Sequence, residues 1–68
     1  MIKNFLTEYR KDYKFSQSYL AAQVNVSRQT IISIEKGKFN PSLELSFKLA
    51  RVFNVRIDEL FYYEEDKV

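Results

Sequence analysis

The chain has 68 residues, enough for one small domain, and carries neither cysteine nor histidine. Disulfides are therefore excluded, and so is a Cys/His zinc site, leaving dense helix packing or a second copy to reinforce a marginal core. The net charge of +2 hides a split: residues 1–56 hold ten Lys/Arg against four Asp/Glu, and residues 57–68 one Lys against five acids. A basic body suits a polyanionic partner, with the acidic end held away from it, although a solvated surface would read the same on charge alone.

No apolar run approaches the roughly 18 residues that span a bilayer, and the first ten residues lack the apolar core of a signal peptide. A cytoplasmic protein is the expectation. There is no Gly-rich phosphate loop, nucleophile–base pair or carboxylate pair in a pocket-sized fold, so neither enzyme activity nor a cofactor or small-molecule ligand is expected. One Gly, one Pro and abundant Leu, Lys, Glu, Gln and Ala predict an all-α domain spanning 1–68.

Five helices are expected. The first runs from about Ile2 to Tyr13, with Ile2, Phe5, Leu6 and Tyr9 at helical spacing and Phe15 as an apolar anchor beyond it. Ser16 caps the second, which runs to Val24 with Leu20, Ala21 and Val24 inward. Asn25 then stands where a left-handed residue must turn the chain. Ser27 caps the third helix, which ends at Lys36 with Gly37 past its end. The loop that follows should return Phe39 to the core. Ser42 caps the fourth helix, whose apolar positions are Leu43, Leu45, Phe47, Leu49, Ala50 and Phe53, and Asn54 ends it. A short fifth helix covers about Ile57 to Leu60, with Asp58 and Glu59 near its positive end. The tail Phe61-Tyr62-Tyr63 is β-prone and precedes a charged end expected to fray.

The third helix carries the functional signal. At 100° per residue, Val26, Ile31 and Ile34 fall on one side, and Arg28, Gln29, Ile32, Ser33 and Lys36 on the other. Arg can bond guanine O6 and N7 together, and Gln can bond adenine N6 and N7 together, in the major groove of duplex DNA. Ser33 permits close approach. Ser27 and Gln17 lie at two helix N-termini, where phosphates bind, and Lys36, Lys38 and Asn40 would flank the groove as further phosphate contacts. Ile32 has a bland reading as a neutral surface residue and a sharper one as a contact to a thymine methyl or the sugar wall.

The segment from Ser16 to Phe53 resembles the helix-turn-helix of the lambda repressor and Cro family, the Xre-like regulators. The resemblance rests on Ser16-Gln17, Leu20-Ala21, Val26-Ser27-Arg28-Gln29-Thr30-Ile31, Ile34-Glu35, Gly37 and Asn40-Pro41-Ser42-Leu43, and extends from about Ile2 to Phe61. It implies a compact five-helix lambda-repressor-like fold with the helix-turn-helix at about 16–36. It further implies a homodimer, a palindromic operator and a regulator that is by default a repressor. The positions matching base readers are Arg28, Gln29 and Ser33, and those matching phosphate contacts are Gln17, Ser27, Lys36, Lys38 and Asn40. Arg10 and Glu35 resemble a structural ion pair that many members hold between the first and third helices. In small members short strands can pair near the chain ends, which here would join Ile2–Asn4 to Phe61–Tyr63. Asn25 replaces a common turn glycine, Tyr19 a frequent acidic residue and Ile32 a mostly polar one.

The cluster Ile57, Leu60, Phe61, Tyr62 and Tyr63 is more apolar than a chain end needs. Part of it closes the core, and a C2 homodimer interface over about 56–64 is the expectation for the remainder. The competing function is a protein-interaction adaptor or antitoxin-type module with no operator of its own.

Overall fold

Three serines start three of the helices. Ser16 Oγ accepts from the Tyr19 N–H (2.9 Å), Ser27 Oγ from Thr30 N–H (3.1 Å) and Ser42 Oγ from Leu45 N–H (3.1 Å). Each bond satisfies one of the donors a helix leaves unpaired at its N-terminus. The computed structural model describes residues 1–65. Its elements in order are β1 (Ile2–Asn4), α1 (Leu6–Asp12), α2 (Gln17–Gln23), α3 (Arg28–Glu35), α4 (Leu43–Val52), α5 (Ile57–Leu60) and β2 (Phe61–Tyr63).

Left-handed residues end the helices. Asn25 (φ 58°), Asn54 (φ 54°) and Gly37 (φ 74°) take this conformation, in which Asn and Gly are the least strained residues. Lys14 takes it as well (φ 60°), closing α1 with no sequence signal to announce it. The turn between α2 and α3 is pinned by the Val26 N–H donating to Ala21 O at 3.0 Å.

Each helix gives the core one or two residues, Leu6, Leu20, Ala21, Ile31, Ile34, Leu49, Ala50 and Leu60, and Val24 and Phe53 join them from the C-caps of α2 and α4. Tyr9, Phe15, Val26, Leu45 and Phe61 pack around its edge. An aromatic chain closes one side: Phe53 meets Tyr9, Tyr13 and Phe15 at centroid distances of 5.7, 5.1 and 6.0 Å. The Tyr13 hydroxyl donates to Phe53 O at 2.8 Å, so its polar end is satisfied at the rim.

Several sequence expectations need correction. The first helix begins at Leu6, because Ile2–Asn4 pairs antiparallel with Phe61–Tyr63 in the register Ile2↔Tyr63, Lys3↔Tyr62, Asn4↔Phe61. That pairing is the one the family resemblance allowed, and it overrides the local helical spacing of Ile2, Phe5, Leu6 and Tyr9. Phe39 does not return to the core; it is 48% exposed. Leu43 and Phe47 lie on the outer face of α4, at 70% and 52% exposure. The charged end is tied down at its start, where the Glu64 N–H donates to Met1 O at 2.8 Å; the remainder of that expectation, past Glu65, falls outside the described residues.

Candidate nucleic-acid interface

α3 presents two faces. Ile31 and Ile34 are fully buried and Val26 packs beside them, while Arg28, Gln29 and Lys36 are exposed and Ile32 and Ser33 half-buried on the outer side. The amphipathic reading thus assigns the inner face correctly and overstates the exposure of Ile32 and Ser33.

The helix is held from behind by a network of charged and amide groups. Arg10 Nε donates to Glu35 Oε2 at 2.6 Å and its Nη2 to Oε1 at 3.3 Å, a two-pronged pair whose side chains are only 12% and 7% exposed. Arg10 also donates to Phe15 O (3.0 Å), and Gln17 Nε2 donates to Glu35 Oε1 (3.0 Å). Gln17 Oε1 in turn accepts from Arg28 Nη2 at 3.3 Å. Burial alone would push the Glu35 carboxyl upward. The hydrogen bonds from Arg10, Gln17 and Thr7, with the Arg10 charge, outweigh it and hold the carboxyl below its ordinary value. The group therefore stays ionised at neutral pH, inside the fold. Among the described residues, no buried side-chain nitrogen or oxygen lacks a hydrogen-bond partner.

One further tie to α3 was not singled out from sequence. Asn4 Nδ2 donates to Ile34 O at 3.1 Å and its Oδ1 accepts from the Leu6 N–H at 3.0 Å, so one amide ties β1, α1 and the last turn of α3 together. Reading residues 2–13 as one helix concealed it; an Asn just before an apolar pair is a capping signal that could have shown it. The Gln17 side chain is engaged on both sides, by Glu35 and by Arg28. Ser27 Oγ is likewise occupied, by the Thr30 N–H and by Thr30 Oγ1 at 2.9 Å.

A shallow groove beside α3 brings together Ser27, Gln29, Thr30, Ser33, Lys38 and Phe39. Four of these were expected at the site; Thr30 and Phe39 were not. Asn40 lies apart from it, lining a second groove with Ile2, Pro41, Leu43, Ser46, Ile57 and Phe61. Of the residues expected at a self-association surface, Ile57 and Phe61 are half-buried and Tyr63 is exposed, whereas Leu60 is fully buried. Tyr62 stacks on Phe5 at 5.0 Å.

A small helical fold with a polar, cation-bearing stripe on the second of two helices joined by a short turn defines a DNA-binding helix-turn-helix protein. The helix-turn-helix family model matches residues 6–60, and the chain belongs to this family in its Xre-like, lambda-repressor-like form. It is 52% identical over 66 residues to an uncharacterized HTH-type transcriptional regulator of Methanocaldococcus jannaschii, covering 97% of this chain and 100% of that one. The HTH-type regulator YgzD of Bacillus subtilis is 38% identical over 65 residues, covering 96% and 98%. The fold is similar to the restriction-modification controller protein C.AhdI of Aeromonas hydrophila, with a TM-score of 0.74, 31% identity and coverage of 79% and 82%. No helix among the described residues is long and apolar enough to cross a membrane.

Proposed function

We propose that this protein is a sequence-specific transcriptional repressor that reads a palindromic operator in double-stranded DNA as a C2 homodimer. The observation that carries the reading is the exposed pair Arg28–Gln29 in the first turn of α3, on a helix braced by the Arg10–Glu35–Gln17 network. Arg28 spends one terminal nitrogen on Gln17 and keeps its other donors for guanine O6 and N7. Gln29 addresses adenine, and Ser33, one turn on, lets the backbone approach. Ile32 adds an apolar contact to a thymine methyl or the sugar wall. Lys36, Lys38 and Asn40, with the backbone N–H groups at Gln17 and Ser27, hold the flanking phosphates.

Dimerisation supplies the second half-site, about 34–36 Å or one helical turn away. The surface we assign to it is the apolar face of Ile57, Phe61, Tyr62 and Tyr63, extended by Ile2, Leu43 and Phe47. Leu60 supports that face from within the core.

Selection of bound sequences from a random duplex pool tests the reading directly. A recovered inverted repeat with half-sites one turn apart, bound with log affinity falling steeply against log salt, is the expected result. Binding that ignores both sequence and salt would refute it, and would favour the protein-interaction adaptor.

A further inference from the structure

We propose that Phe39 is a DNA-contacting residue, an apolar anchor that packs its ring on the operator at the edge of the groove read by Gln29 and Ser33. This rests on the DNA reading above and adds to it a contact of a different chemical kind. Phe39 is 48% exposed, so the core accounts for only part of the ring. A single exposed apolar residue needs no explanation in itself. What distinguishes this one is its setting. It shares a groove with Ser27, Gln29, Ser33 and Lys38, on the outer side of α3. The apolar face at Ile2 and Leu43 belongs to a separate groove, lined by the neighbouring Asn40.

The backbone presets the ring's position. Gly37 adopts φ 74°, its N–H donates to Ile34 O at 3.0 Å, and the Lys38 N–H donates to Ser33 O at 2.9 Å. These bonds fix the chain one residue before Phe39, so little backbone freedom remains to be lost on binding. Lys36 and Lys38 flank it with positive charge, which suits a polyanion such as the phosphate backbone and disfavours a basic or purely apolar partner. The remaining surface of a duplex at that edge is apolar: the deoxyribose wall and the thymine 5-methyl, which projects into the major groove from any A·T pair that Gln29 reads. A phenyl ring can meet either, and can make no hydrogen bond in competition with Gln29 or Ser33.

The test uses the full chain and the duplex selected above. Phe39→Ser is expected to weaken binding about tenfold, the scale of burying the exposed half of a phenyl ring, at every salt concentration. The slope of log affinity against log salt and the melting temperature should be unchanged, and Phe39→Leu should keep most of the affinity. Lys38→Ala, by contrast, should lower the slope by about 0.9. Replacing operator thymines by uracil separates the two partners. If the Phe39→Ser deficit vanishes on the uracil duplex, the methyl is the partner; if it persists, the sugar wall is. Wild-type affinity in a folded Phe39→Ser variant overturns the contact while leaving the DNA reading intact, as does a variant that loses only self-association. A wild-type chain that binds no duplex in a salt-dependent manner overturns both.

Discussion

The outer side of α3 and the outer side of α4 are both exposed, yet they are built from opposite materials. α3 offers Arg28, Gln29 and Lys36, with Lys38 nearby, and is braced from behind by a buried ion pair. α4 offers Leu43 and Phe47, and its one ion pair among the described residues, Lys48–Glu44 at 3.1 Å, is solvent-exposed. A surface that must meet fixed hydrogen-bonding groups needs its side chains held in place, so rigidity is supplied beneath it. A surface that meets another apolar surface needs mainly area, and exposed ion pairs beside it contribute about 0–1 kcal/mol. On the proposed reading, the contrast sets a salt-sensitive contact at α3 against a salt-insensitive one at α4.

The bracing pair offers the largest effect. Arg10→Met should destabilise the fold by about 3 kcal/mol, because it strands a buried carboxylate. A double-mutant cycle with Glu35→Leu, read by denaturant unfolding, should recover most of that loss. Zero coupling would remove the distinction drawn between the two surfaces. The pair also has a pH signature. The folded Glu35 carboxyl ionises more readily than the unfolded one, whose value is about 4.3. Its stabilisation is therefore complete well above that value and is lost as pH falls through the lower folded value. The melting-temperature gap between wild type and Glu35→Gln should accordingly narrow below about pH 4.

Next is the apolar face. Phe47→Asp should weaken self-association by about 2 kcal/mol, seen in sedimentation as a monomer at concentrations where the wild type is paired, with the melting of the monomer little changed. A wild type that is monomeric at high micromolar concentration would reduce this face to ordinary surface. On α3, Arg28→Ala should cost about 1–3 kcal/mol of operator affinity and relax preference at one base pair, whereas Lys38→Ala should weaken all sequences alike. The smallest effect is in the turn: Asn25→Ala should cost about 1 kcal/mol in thermal unfolding and Asn25→Gly almost nothing, because φ 58° penalises Cβ.

Legibility in the sequence followed the range of the interaction. Ser16, Ser27 and Ser42 announced helix starts because a cap bonds three residues away, and Asn25 announced a turn because its own φ is at stake. Ile31 and Ile34 were readable from helical period alone. Failures gathered where a partner lies far along the chain. Ile2 looked helical until Tyr63 was opposite it, and Asn4 had no visible role until Ile34 O came within 3.1 Å. Phe39 was assigned inward because apolar character was taken as burial, and Leu43 and Phe47 were grouped with the buried apolar positions of α4 without a face being given; all three are exposed. Gln17 was read as a phosphate ligand from its place at a helix start; its tie to Glu35, eighteen residues on, needed the fold.

The β1–β2 ladder has a consequence for how the protein is made. Ile2 leaves the ribosome first among the paired residues and Tyr63 last, so the sheet cannot form until the intervening helices have emerged. Asn4 sits in that strand and holds the carbonyl of Ile34 at the back of α3. The brace on α3 is thus completed only after β2 has been synthesised, and a nascent chain stalled before Phe61 would carry that helix without its final fastening.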